Sequence, residues 1–101
     1  MAVINIDQNN FRNEVMHSTK PVLLDFWAAW CGPCCTIGPV LEQIAEERAD
    51  IKVCKVNIDE QPELAKEFGI MSIPTLMVIK DGNVVNRSQG AKSKSAILKM
   101  I

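Results

Sequence analysis

Neither sign of charge is in excess in this sequence: 11 Lys and Arg face 12 Asp and Glu, for a formal net charge of −1 at pH 7. That balance gives no electrostatic case for binding nucleic acid or an anionic membrane. No apolar run approaches the ~20 residues that a membrane-spanning helix needs. The start, Met1-Ala2-Val3-Ile4-Asn5-Ile6-Asp7, has neither a basic segment nor a long apolar stretch. A secretory signal is therefore not expected, and the initiating Met implies that nothing was removed ahead of it. There is no internal repeat, no low-complexity tract and no linker. Glycine-rich phosphate loops of the GxGxxG or P-loop kind are absent too, so nothing reads as a nucleotide site.

What remains is an ordinary globular composition, 48% apolar and 23% charged over 101 residues. That length implies one domain, residues 1–101, with a core large enough to need no staples. The four cysteines do not read as a secreted disulfide framework, because Cys31, Cys34 and Cys35 lie too close together to clamp distant segments. Beside strand–helix–strand patterning, Cys31-Gly32-Pro33-Cys34 reads as a redox motif. Positions i and i+3 share a helical face, so the two thiols can meet. The unpaired N–H groups of a helix start favour a thiolate on the first of them. A stable, reactive thiolate implies an exposed Cys31.

Read in order, Val3, Ile4 and Ile6 form a first strand. Asp7 caps a helix from about Gln8 to Met16. Pro21 to Trp27 is nearly continuously apolar, as expected of a central strand covered on both faces. Asp25 is the one charge inside it. A helix runs from near Cys34 to Arg48, with Ile37, Leu41, Ile44 and Ala45 on one stripe and a kink expected at Gly38-Pro39. Ile51 to Ile58 is a third strand, and Asp59 to Phe68 a helix capped by Gly69. Leu76 to Lys80 and Asn83 to about Gln89 are strands joined at Asp81-Gly82, a two-residue hairpin signal. Ser93 to Ile101 forms the last helix, packing through Ile97, Leu98 and Ile101. The order β-α-β-α-β-α-β-β-α implies an α/β fold with a mixed sheet and helices on both faces.

Four stretches, Asp25-Phe26-Trp27-Ala28-Ala29-Trp30-Cys31-Gly32-Pro33-Cys34, Lys55-Val56-Asn57-Ile58-Asp59, Ile73-Pro74-Thr75-Leu76 and Gly90-Ala91, together closely resemble the thioredoxin family, in register from about Val3 to the C-terminus. The resemblance implies a thioredoxin fold, a five-stranded mixed β-sheet flanked by four α-helices. It implies general reduction of protein disulfides in the cytoplasm by a monomer that binds no cofactor. Recycling falls to a thioredoxin reductase, which draws on NADPH through a flavin. The partners implied are that reductase and disulfide-containing clients, with no nucleic acid and no membrane.

The resemblance also assigns roles. Cys31 is the nucleophile and Cys34 the resolving thiol. Gly32 and Pro33 tune the pair. Pro33 brings neither an N–H nor a positive charge, and no His stands between the cysteines to stabilise the thiolate, which favours a reductant. About 30 mV is worth ~1.4 kcal/mol for such a couple, so one charge decides its direction. Asp25, if desolvated, takes the proton from Cys34, and Lys55 is its natural partner. Pro74 corresponds to the family's cis-proline, packs on the disulfide and keeps metals away. Trp30, Gly32, Pro33, Ile73, Pro74, Gly90 and Ala91 form an apolar collar, where Ile73 pairs with an extended client. Trp27 reads as core.

Some positions depart from the family. Cys35 stands where a basic residue is usual and reads as a spectator thiol or a secondary redox site. Gln89 replaces an apolar residue and weakens one edge of the collar. Cys54 reads as a buried structural thiol. His17 suits a helix C-terminus. Ligand count alone admits a zinc site from Cys31, Cys34, Cys35 and His17, but the flanking residues favour redox chemistry and no metal. The alternative function is a binding module that uses the collar, with incidental thiols; an oxidase or isomerase would call for a secretory signal and a different central dipeptide.

Overall fold

A computed structural model describes residues 2–101; Met1, the first position of the start segment, lies outside them. Five strands form one sheet in the order β1-β3-β2-β4-β5. They are β1 (Ile4–Asn5), β2 (Val22–Trp27), β3 (Lys52–Asn57), β4 (Thr75–Lys80) and β5 (Asn83–Gln89). β3 runs parallel to β1 and β2, while β4 is antiparallel to β2 and β5. Four helices complete the fold: α1 (Arg12–Met16), a π-helical turn, α2 (Gly32–Glu47), α3 (Pro62–Glu67) and α4 (Lys94–Leu98). This is the mixed sheet with helices on both faces that the strand–helix alternation implies.

The sheet separates two apolar layers. On one face Val22, Leu24, Phe26, Cys54, Val56, Met77 and Ile79 pack with Val15 of α1 and Leu64 of α3. On the other, Leu23, Val53, Leu76 and Val78 pack with Ile37, Leu41 and Ile44 of α2 and Ile97 of α4. Side chains alternate along a strand, so Asp25 and Trp27 share the face of Leu23, beneath α2.

Several boundaries differ from those read in the sequence. The first helix does not start at Gln8. Asp7 Oδ1 accepts from the Asn9 and Asn10 N–H groups at 2.8 and 3.0 Å, and Asn10 Oδ1 accepts from the Asp7 N–H at 2.8 Å. These are the bonds of an N-cap, as expected of Asp7, and with the Phe11 N–H on the Asp7 carbonyl at 3.0 Å they close a capped turn over residues 7–10 ahead of the π-helical segment. A capped turn also precedes α3. Asn57 Oδ1 takes the N–H groups of Asp59 and Glu60 at 2.9 and 3.2 Å, and the helix starts only at Pro62, after Gln61 at φ −124° and ψ 62°. Helix α2 begins two residues before Cys34 and continues through Pro39. Ser93 caps α4, its hydroxyl accepting from the Ala96 N–H at 3.2 Å, and the helix ends at Leu98 rather than Ile101.

The Asp81-Gly82 hairpin has positive φ at both residues, 51° and 79°, as the tight turn between twisted strands requires. Gly82 is further constrained, because a Cβ there would lie 3.3 Å from the Met16 carbonyl oxygen. The β4–β5 register steps between Val78 and Ile79, which pair with Asn86 and Val84, leaving Val85 as an extra residue.

Candidate active site

The site forms where β2 gives way to α2. After Trp27 the chain turns through Ala28 and Trp30, and the Cys31 N–H closes the turn on the Ala28 carbonyl at 3.2 Å. Cys31 then caps α2 in extended conformation (φ −91°, ψ 108°), and its sulfur accepts the Cys34 N–H at 3.3 Å. The Cys31 carbonyl takes the Cys35 N–H at 3.2 Å, which starts the helical ladder. Pro33 sits in the first turn, where its missing N–H costs nothing. The donor that remains, at residue 34, therefore points at the sulfur of residue 31.

Cys31 and Cys34 are joined as a disulfide, with Cα atoms 5.3 Å apart, inside the usual span for such a bond. Cys31 is 6% exposed and Cys34 3%. An exposed Cys31 was expected, and the structure corrects this. Trp27, Ile58 and Ile73 pack against Ala28 and the two cysteines, and Cys31 keeps only a small exposed surface. The Ile73–Pro74 peptide is cis. The Ile73 carbonyl oxygen lies 3.8 Å from Cys31 Sγ, and the Pro74 carbonyl accepts the Gly90 N–H at 2.8 Å.

Around this surface the sequence-predicted collar divides. Trp30 is 70% exposed, while Gly32, Pro33 and Ala91 are exposed and Ile73 and Gly90 half-buried. Pro74 is buried, so it underlies the rim and does not form part of it. Trp30 and Ile73 line a groove of about 320 Å³ together with Ile58, Ile70, Met71 and Ser72. Met71 is 93% exposed. The Trp30 indole N–H donates to Asp59 Oδ2 at 2.8 Å, which fixes one wall of the groove. Sequence reasoning missed Asp59, Ile58, Ile70, Met71 and Ser72 as parts of the site. The available signal was position: two lie directly after β3 and three directly before Ile73-Pro74.

Asp25 is fully buried, and neither carboxylate oxygen has a hydrogen-bond partner among the described residues. Burial pushes its pKa up to about 7, and the Lys55 charge opposes the rise. Lys55 is the β3 residue in register with Asp25. Its ammonium lies 4.2 Å from the centre of the Trp27 ring, so its direct contact is with the indole. Trp27 itself is half-buried.

The remaining cysteines differ. Cys35 is exposed, and its thiol donates to the Ala29 carbonyl at 3.7 Å. Cys54 is buried. Gln89 is exposed and pairs with Thr75 across the last two strands. His17 terminates α1, its N–H bonded to the Arg12 carbonyl at 2.8 Å. Among the described residues no cluster of three or more His, Cys, Asp or Glu side chains is arranged to hold a metal ion. No helix among them is long and apolar enough to cross a membrane.

Comparison with known proteins agrees with this geometry. A family profile described as thioredoxin matches residues 2–101. The thioredoxin of Mycobacterium bovis is 52% identical over 99 residues, covering 97% of this chain and 85% of that protein. The thioredoxin of Streptomyces clavuligerus is 50% identical over 95 residues, 94% of this chain and 89% of that protein. A protein of Mycobacterium leprae named bifunctional thioredoxin reductase/thioredoxin is 47% identical over 99 residues, which are 97% of this chain and 22% of that longer protein. With a vicinal cysteine pair at a helix mouth, a five-stranded mixed sheet beneath it and a match over nearly its whole length, the chain belongs to the thioredoxin family of thiol–disulfide oxidoreductases.

Proposed function

We propose that this chain reduces disulfide bonds in client proteins, with Cys31 as nucleophile and Cys34 as resolving thiol. The observation that carries the reading is the cap of α2, where the Cys34 N–H meets the Cys31 sulfur at 3.3 Å. A thiolate at that position receives an N–H and the positive end of a helix dipole, both of which favour the ionised form. The Cys31 thiolate attacks one sulfur of a client disulfide, forms a mixed disulfide and releases the first client thiolate. Cys34 gives up its proton and attacks Cys31 Sγ. That step releases the second client thiolate and leaves the Cys31–Cys34 disulfide. Two electrons pass to the client.

Asp25 accepts the Cys34 proton in this scheme. A carboxyl whose pKa lies at about 7 is half-ionised near neutral pH, which suits a general base. Lys55 moderates the cost of that buried charge. Gly32, Pro33 and the buried Pro74 shape the pair, and Trp30, Ile73, Gly90 and Ala91 receive the client. The small exposed surface of Cys31 supports a client disulfide that is lowered onto the sulfur by flanking backbone and apolar contacts. The domain comprises residues 1–101, works as a monomer in the cytoplasm and binds neither a cofactor nor a metal. The partner is a thioredoxin reductase, whose flavin passes electrons from NADPH. The fused reductase and thioredoxin named for the Mycobacterium leprae relative support that pairing.

Turbidity during insulin reduction by dithiothreitol tests the reading. The protein is expected to accelerate precipitation, Cys31→Ser to abolish the acceleration, and Cys34→Ser to accumulate mixed disulfides visible on a non-reducing gel. A rate no better than dithiothreitol alone would leave a binding module in its place. Normal turnover by Cys34→Ser would move the resolving role to Cys35.

A further inference from the structure

The segment that crosses beneath the groove, Ile70 to Ile73, is short of anchors of its own. At its start the Phe68, Gly69 and Ile70 N–H groups turn back to the Leu64, Lys66 and Ala65 carbonyls at 3.1, 3.0 and 2.9 Å. Gly69 completes this reversal at φ +63°. The N–H groups are thereby used, and the Phe68 and Gly69 carbonyls are left facing outward at the negative end of α3.

Arg87 takes both. Its Nη1 donates to the Phe68 carbonyl at 2.9 Å and its Nη2 to the Gly69 carbonyl at 3.1 Å. The residue reaches across from β5, where its own backbone pairs with Met77 of β4. A rigid guanidinium fork fits two neighbouring oxygens in a way that a single ammonium does not. At the other end of the segment the anchors are Gly90, just past β5, and Thr75 of β4. The Gly90 N–H binds the Pro74 carbonyl at 2.8 Å, and Thr75 Oγ1 donates to the Ser72 carbonyl at 2.6 Å. Between the two clamps lie Ile70, the exposed Met71, Ser72 and Ile73. These four line the groove, and the last presents its carbonyl to Cys31 Sγ.

We propose that Arg87 is a positioning residue for protein clients. It holds the Ile70–Ile73 arch at its working height over the cysteine pair and contributes nothing to the sulfur chemistry itself. The inference rests on the protein-disulfide reductase reading. A client that must lay extended chain along the arch depends on Arg87; a small disulfide that needs only the exposed surface of Cys31 does not.

The test compares the reduced parent protein with Arg87→Met and Arg87→Lys by stopped-flow, using insulin and 5,5′-dithiobis(2-nitrobenzoate) as oxidants. Arg87→Met is expected to slow the reaction with insulin about tenfold, a barrier change of ~1.4 kcal/mol. It should leave the small aromatic disulfide within about twofold and the potential of the Cys31–Cys34 couple unchanged. Arg87→Lys, with one donor head for two carbonyls, should fall between. Backbone amide exchange at Met71 and Ile73 should quicken in Arg87→Met, which a contact that merely adds stability elsewhere would not produce. Equal slowing with both oxidants, or no slowing with insulin, overturns the proposal. A parent protein unable to reduce insulin refutes the underlying function instead, and unchanged amide exchange in Arg87→Met would then still refute the clamp.

Discussion

On one face of the sheet, β3 buries Cys54 among Ile6, Leu24, Phe26 and Val56. On the other, β2 buries Asp25 beside Leu23, under α2. The two residues lie on adjacent strands, one register step apart. Both are removed from water, and burial raises the pKa of each. Yet the thiol starts near 9 and is pushed up to about 12, whereas the carboxyl starts near 4 and reaches about 7. The same desolvation silences one group and brings the other to the pH at which it can trade protons. What separates the two groups is the ordinary acidity of each, since both are fully buried.

Removing the carboxyl charge should have the largest effect on that comparison. The folded pKa of Asp25 lies above its unfolded value near 4, so the folded state holds the proton more tightly. The contribution of Asp25 to stability is greatest at acid pH, falls as pH rises between about 4 and 7, and is level above that window. A rise of about three units corresponds to ~4 kcal/mol as an upper figure. Asp25→Asn has no such titration. Urea unfolding should show its stability relative to the parent improving by up to ~4 kcal/mol between pH 4 and pH 8; a difference independent of pH would place Asp25 in contact with water.

A smaller effect is expected on the opposite face. Cys54→Ala removes one buried sulfur and should cost roughly 1 kcal/mol, as modest core truncations do. The loss should be the same at pH 5 and pH 8, because the thiol titrates only above that range. A pH-dependent loss would erase the contrast between the two faces. The smallest expected effect is chemical and leaves stability untouched. Iodoacetamide at pH 8 should label Cys35 in the folded protein and leave Cys54 unlabelled until urea is added. Labelling of Cys54 at the same rate would show that its face opens without global unfolding.

Much of the architecture was legible because its signals were local. The continuous apolar run of β2 marked a central strand. Asp81-Gly82 marked the tight hairpin, and the stripe Ile37-Leu41-Ile44 marked the buried side of α2. Regular helix in α1 and α3 starts later than assigned, although the cap at Asp7 is where it was expected. Asp7 and Asn57 each cap a turn, but the π-helical geometry after the first and the non-helical Gln61 after the second are changes that composition and periodicity do not register. At the site, the cysteine pair and the lone acid in an apolar strand stood out in the sequence. The groove did not. It joins Trp30 to residues 58 and 70–73 across long stretches of chain, and Arg87 reaches its two carbonyls 18 and 19 positions away. Contacts of that range leave no spacing to read.

The supernumerary Val85 on the outermost strand has a consequence for how copies of the protein behave together. A straight rim carrying two neighbouring valines would be a template on which a second chain could zip up by main-chain pairing. An inserted residue bends and twists such a rim, so that another copy meets a warped ladder in place of a flat one. One misfit in the pairing thus works against fibril-like stacking on the strand that ends the sheet.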